Sequence, residues 1–250
     1  MKIWAALQSG SNIIYYQEDF PMEKTLYTSI GRLEQRKDVD GAYPVIHLGG
    51  KEYMMDIQEM AVWTSIAWHI VRREEIGKRY GEMCRGIDLG TNRTWSECVD
   101  RLLARGLLVA GTGETEYDAL YDMLSALYII PATGTPWLKV ITLLKLTLLG
   151  RVSFTAASKL FRRDPRTAGE AHVMQLAGQA LLSTAEIIKC VERGVSDLPD
   201  NESIMNAVYD DRSTTSDNLP FTAKTFPGAQ NVTLDVANLY LRKQIVFERV

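Results

Sequence analysis

The stretch from Thr94 to Val109, TWSECVDRLLARGLLV, leaves the chain little freedom. Thr94 is followed three residues later by Glu97, so a hydroxyl can cap one end of a helix while the carboxylate reaches back to the cap amide. Trp95, Cys98, Val99, Leu102 and Leu103 then recur at helical spacing and give an amphipathic helix. Arg105-Gly106 ends it, with Gly106 placed to take the positive φ that closes a helix. Leu107 to Val109 reads as a strand. Gly111-Thr112-Gly113 reads as a tight turn, with a short return strand after it.

The residues before this helix alternate between strand and helix patterns. Ile13 to Tyr16 is a β-prone run. The charged stretch between Gly31 and Gly41 is expected to be a loop or an exposed helical turn. Tyr43 to Leu48, Gly49-Gly50 and Lys51 to Asp56 predict a β-hairpin, because paired glycines accept the positive φ of a two-residue turn. From Ile57 the period becomes helical through Val71, with Asp56 as N-cap. Glu75 to Cys84 predicts a second, shorter helix, and Gly86 to Asn92 a turn-rich link.

The order hairpin, helix, helix, capped helix, strand resembles bacterial winged helix-turn-helix regulators over about residues 43–115. That resemblance implies a recognition helix whose N-terminal residues enter the major groove. Here those are Arg93, Thr94 and Ser96, with Arg101 one turn on. Lys78, Arg79 and Arg85 would meet phosphates and Thr112 would sit at the wing tip. The implied function is a sequence-specific DNA-binding transcriptional regulator, dimeric and signal-responsive through its C-terminal part, with double-stranded DNA as partner. Charge does not make this obvious. The whole chain carries −3, and Glu59 to Val109 holds eight basic residues against seven acidic. Glu97 and Asp100 share the exposed face with Arg101. The same stretch, with KEYMMD before a buried helix and EIGKRY after it, is also similar to PqqD-type peptide-binding domains. Those grip a peptide by β-augmentation, and this alternative predicts an exposed edge strand in the 43–56 hairpin. A third option is a structural interaction module.

Beyond the strand, Glu116 to Ile129 predicts a helix and the Pro- and Gly-containing residues 131–136 a break. The expected fold is therefore α+β and mainly helical. A winged-helix domain with β-hairpins covers 1–130, and an all-α dimerisation, ligand- or partner-sensing domain covers 137–250. Within the second part, Leu138 to Leu149 and Ser153 to Phe161 read as helices, followed by the basic cluster Arg162, Arg163 and Arg166. Thr167 to Arg193 reads as one long helix, either a core helix of the second part or a dimer seam. Its Ala177, Ala180 and Ala185 allow close helix approach, and the seam reading implies a homodimer. Residues 196–203 and 210–231 read as loops, and Val232 to Val246 as a last helix. No internal repeat is visible.

Cys84, Cys98 and Cys190 form no CxxC pair and suit a reducing, cytoplasmic setting. His47, His69 and His172 stand apart from them, so no metal is expected. No catalytic constellation and no cofactor motif is found, and GTGETE at 111–116 lacks the third glycine of a dinucleotide fingerprint. No stretch is long and apolar enough for a membrane. Trp63, Trp68, Trp95, Trp137, Tyr121 and Tyr128 can line a pocket for a small apolar ligand, or simply fill a core.

Overall fold

The computed structural model describes residues 23–38, 41–86, 93–132, 166–209 and 214–249. The first strand, β1 (Lys24–Ser29), leads into an antiparallel meander of β2 (Arg32–Asp38), β3 (Gly41–Leu48) and β4 (Lys51–Met54). The expected hairpin is β3–β4, and Gly49 and Gly50 both take positive φ in its turn (57° and 69°). The charged segment after Gly31 is strand β2 rather than a loop. Its place at the sheet edge explains this, since an outer strand can keep charges in water while its backbone pairs. Glu34 and Glu52 flank His47 at 3.4 Å across the meander.

Three helices follow: α1 (Ile57–Ser65), α2 (Arg73–Met83) and α3 (Trp95–Ala104). Asp56 caps α1, and the Thr94–Glu97 capping box starts α3. Strand β5 (Leu108–Gly113) continues from α3, but its partner is not the return strand expected after Gly113. β5 pairs antiparallel with β1, Tyr27 opposite Ala110 and Thr25 opposite Thr112. Tyr27 also bridges Val71, between α1 and α2. The expected turn at Gly111-Thr112-Gly113 is the end of this strand, and α4 (Glu116–Leu124) lies flat on it. A Cβ on Gly111 would stand 2.3 Å from the Ala119 carbonyl oxygen, and one on Gly113 2.6 Å from the Ala119 amide nitrogen. These glycines serve close helix–strand contact, not chain reversal.

The C-terminal part is not all-α. Strand β6 (Tyr128–Pro131) replaces the end of the helix expected to reach Ile129. After α5 (Ala168–Gln179) comes β7 (Leu182–Ser183), then α6 (Thr184–Glu192). The single long helix expected over 167–193 is thus two. Ala180 turns extended (φ −146°, ψ 156°), and Ser183 with Glu186 forms a new capping box that restarts the chain as α6. α7 (Asn201–Tyr209) begins inside one stretch read as a loop, and α8 (Leu219–Lys224) lies wholly inside the other. α9 (Ala229–Leu241) ends before the expected last helix does, and Ile245–Glu248 is strand β8. The helices expected at 138–149 and 153–161, with Arg162 and Arg163, lie outside the described residues, as does the strand expected at 13–16.

β6 is the middle strand of a β7–β6–β8 sheet, so this sheet takes its strands from both sides of the boundary expected at 131–136. Its register repeats that of the first unit. Ile129 pairs with Leu182 and Phe247, as Tyr27 pairs with Val71 and Ala110. The Ile30 amide donates to the Leu107 carbonyl at 3.1 Å, and the Ala132 amide to the Gln244 carbonyl at 2.8 Å. Both α3 and α9 close with the same pair of amide bonds: Gly106 to Leu103 and Leu107 to Leu102 in one, Lys243 to Tyr240 and Gln244 to Leu239 in the other. Buried residues correspond too: Val62 with Val173, Ile76 with Ile187, Val99 with Val236, Leu102 with Leu239 and Leu108 with Ile245. Among the described residues the chain contains two copies of one unit: middle strand, helix, short pairing segment (the Val71 bridge in the first copy, β7 in the second), helix, helix, outer strand. The β2–β4 meander is inserted after the first copy's middle strand. The second copy inserts α7 and α8 before its last helix.

One continuous core joins the copies. Ala177 and Ala185, expected either in a core helix or at a dimer seam, are buried within it. The Tyr240 hydroxyl of α9 sits at the junction. It donates to the Ser29 carbonyl (2.9 Å) and accepts from Thr28 Oγ1 (2.8 Å) and the Trp68 amide (3.0 Å). Trp63 fills the core and donates its indole N–H to the Ile30 carbonyl at 3.2 Å, so it lines no pocket.

Candidate functional site

The residues expected to face DNA divide into separate groups. Arg93 and Arg101 converge, but on an acid of their own chain. Glu59, in the first turn of α1, is almost fully buried. Arg101 Nε donates to Glu59 Oε1 and Arg105 Nη1 to Glu59 Oε2, both at 2.7 Å, while Arg93 Nη1 lies 3.7 Å from Oε1. Arg93 also pairs with Asp56. Thr94 is occupied as the cap of α3. Ser96 accepts from Arg73 Nη2 at 2.9 Å, and the same guanidinium pairs with Asp100. Arg79 forks onto Glu75 of its own helix. Lys78 and Arg79 share their face of α2 with Glu74, Glu75 and Glu82, and Arg85 follows the helix end. Thr112 lies in β5, its amide held by Asp122 at 2.9 Å, away from α3.

This arrangement follows from local sequence. Asp56-x-x-Glu59 puts one carboxylate on the first amides of α1 and the next on the helix flank turned toward α3. Burial raises the Asp56 carboxyl, but the Glu59 and Gln58 amides and Arg93 outweigh it and hold the group below its usual value. Glu97 is held low by the Thr94 amide and hydroxyl. A buried carboxylate without partners would be costly, so Glu59 draws the arginines inward. Its pairing with Arg105 has a counterpart in the second copy. Glu170, equally buried in the first turn of α5, accepts from Arg242 Nη1 at 2.9 Å, and both arginines are the C-caps of their helices.

Arg105, absent from the expected set, opens onto a different feature. Its Nη2 donates to the Met54 carbonyl, and its guanidinium carbon stands 6.0 Å from the centre of the Tyr53 ring. β4 is the outer strand of the meander and, among the described residues, pairs only with β3. In a two-residue hairpin the residues flanking the turn, Leu48 and Lys51, exchange hydrogen bonds, and the pairs then alternate. His47–Glu52 and Val45–Met54 are the pairs whose amides and carbonyls point away from each other. Glu52 and Met54 therefore present their backbone groups to the free edge, and the Arg105 contact with the Met54 carbonyl agrees. Between this hairpin and the last turn of α3 runs a cleft of about 370 Å³, bordered by Leu48, Lys51, Tyr53, Leu103, Arg105 and Arg249. The end of the second copy forms its far wall. Glu248 Oε1 accepts from the Gly49 amide at 2.5 Å and fixes the hairpin tip there.

The hairpin was readable in advance from its glycines. Arg249 was not, because only the fold brings the end of β8 beside β4. No helix among the described residues is long and apolar enough to cross a membrane, and no cluster of three or more His, Cys, Asp or Glu among them could hold a metal ion. Comparison with family models, curated proteins and solved structures finds no match for the chain.

Proposed function

We propose that this protein is a peptide-binding module in which an extended segment adds as a fourth strand beside β4. The observation that carries the reading is the β4 edge, which pairs with no second strand among the described residues and adjoins the cleft beside the last turn of α3. An outer strand with unpaired backbone groups is a template for another strand. It resembles the PqqD-type arrangement in having a three-stranded meander followed by three helices. The helix, strand, helix, helix, strand order of each copy is also close to a winged helix, with β1 or β6 in the place of the wing's return arm. Fold alone does not fix function. The DNA-regulator reading is weaker because Arg93 and Arg101 are engaged by Asp56 and Glu59.

The test uses the direction of one amide. Glu52→Pro removes an N–H that points to the free edge, so the β3–β4 pairing survives. Peptides selected from a random display library on the full chain are expected to lose binding to Glu52→Pro, with the circular dichroism spectrum unchanged. Retained binding overturns the proposal. Salt-sensitive binding to labelled duplex DNA that Arg101→Ala abolishes would favour the regulator instead.

A further inference from the structure

The cleft beside β4 has a chemical bias. Its border includes Lys51, Arg105 and Arg249, and no Asp or Glu lines it. Lys51 and Arg249 are exposed. Arg249 Nη1 reaches over the end of α3, 3.7 Å from where a Cβ on Gly106 would lie. The nearest acid on α1, Glu59, is buried and already faces Arg93, Arg101 and Arg105. Glu59 answers Arg105 and Glu248 holds the Gly49 amide, but neither lines the cleft, so Lys51 and Arg249 focus a positive potential on whatever enters.

We infer that the segment received beside β4 is an acidic peptide, with Asp or Glu at alternate positions facing Lys51, Arg105 and Arg249. The inference rests on the peptide-binding reading above and names the chemistry of its ligand. Arg105 gives it a mechanism. In the free protein one arm of its guanidinium holds Glu59 and the other the Met54 carbonyl. An incoming strand brings an amide N–H to that carbonyl, because this is where β-pairing places it. Nη2 is then released, beside the peptide and with no acceptor. A carboxylate on the incoming strand supplies one, and a charge-assisted bond replaces a neutral one. A basic or neutral peptide would leave that donor unanswered. Tyr53 and Leu103 supply the apolar floor on which the stem of an Asp or Glu can lie.

The experiment is selection from a random peptide display library on the full chain, repeated on the Lys51→Glu/Arg249→Glu double variant. Both residues are exposed and hold no buried ion pair, so the fold should persist. The wild-type pool is expected to be enriched in Asp and Glu at alternating positions. Its peptides should bind the double variant about tenfold or more weakly, and the variant should select Lys- and Arg-rich peptides. Hydrogen exchange of the complex should protect the Glu52 and Met54 amides. Peptides that protect those amides without acidic enrichment overturn the charge inference and leave β-augmentation standing. Peptides that protect another surface, or a selection that recovers none, overturn both.

Discussion

The two copies of the repeated unit solve one problem differently. Each buries a glutamate in the first turn of its first helix and answers it with the arginine that caps its last helix. In the first copy Glu59 gathers Arg93, Arg101 and Arg105. In the second, Asn238 and Asp235 stand where the first has Arg101 and Cys98. Glu170 then keeps only Arg242 as an ion-pair partner among the described residues, and its Oε1 has no hydrogen-bond partner. The first copy therefore concentrates charge beside a strand edge that no other strand covers among the described residues, whereas α9 packs mainly on α5, α6 and α4. The two copies share a scaffold, and differences at a few helix positions set a candidate binding unit apart from a supporting one.

The largest test of this contrast is removal of each acid. Glu59→Gln should cost about 3–5 kcal/mol, the usual cost of breaking a buried pair, because three guanidiniums lose their common partner. Glu170→Gln should cost clearly less, since only one guanidinium, Arg242, loses its partner. Urea unfolding of both variants measures the difference, and equal costs would erase the distinction. Next comes the seam. Tyr240→Phe removes three hydrogen bonds and leaves the Ser29 carbonyl and Trp68 amide unpaired. A loss of about 2 kcal/mol is expected. If the copies depend on this contact to melt together, calorimetry will resolve two transitions in the variant.

The dependence on pH should carry opposite signs in the two copies. Asp56 is held below its ordinary 3.8, so its stabilisation is full above that value and disappears as pH falls through the lower folded value. Asp235 is pushed above 3.8, first by burial and also by Glu170. Its ionised form costs stability at neutral pH, and the cost fades as pH falls through its raised value. Asp56→Asn keeps the cap but loses the charge that meets Arg93, and should lower neutral-pH stability by up to about 1 kcal/mol and flatten the acid limb. Asp235→Asn should leave neutral-pH stability unchanged or raise it. Matching acid limbs in the two variants would contradict the assignment. The smallest effect concerns the helix ends. Gly106 and Lys243 both hold positive φ (68° and 59°). Gly106→Ala should destabilise by about 1 kcal/mol. Lys243→Gly relieves similar strain but loses the ammonium contact 5.4 Å from the Trp68 ring centre, worth roughly as much. Its net change should be near zero in a thermal melt.

What the sequence disclosed tracks the range of the interactions. The α3 cap, its apolar stripe, the Asp56 cap and the Gly49-Gly50 turn are set within a few residues, and each stands as expected. The Ser183–Glu186 box had the same form but lay inside a continuous apolar periodicity, so the break between α5 and α6 was hidden. The partner of β5 and the repeated unit were not legible, because strand pairing between β1 and β5 leaves no local mark. The matching positions of the copies share shape rather than identity: Leu108 and Ile245 are alike only in size and polarity, Gly106 and Lys243 only in their positive φ, and α7 and α8 throw the copies out of step. The Glu59 cluster illustrates the same limit. Arginines spaced for an outward helix face are indistinguishable in sequence from arginines drawn to a buried acid.

The first strand of each copy, β1 or β6, precedes its own helices in the chain, and this has a consequence for how the molecule assembles. A wing made from a local hairpin can zip as soon as it is synthesised. β1 must instead wait for β5, with the meander and three helices emerging in between. β6 must likewise wait for β8 near the end of the chain. Such long loop closures slow folding. On the ribosome, β1 would stand for a time as an unpaired strand, open to wrong partners. The second unit closes last, and with it arrive both Tyr240, which locks the junction, and Arg249, which completes the cleft.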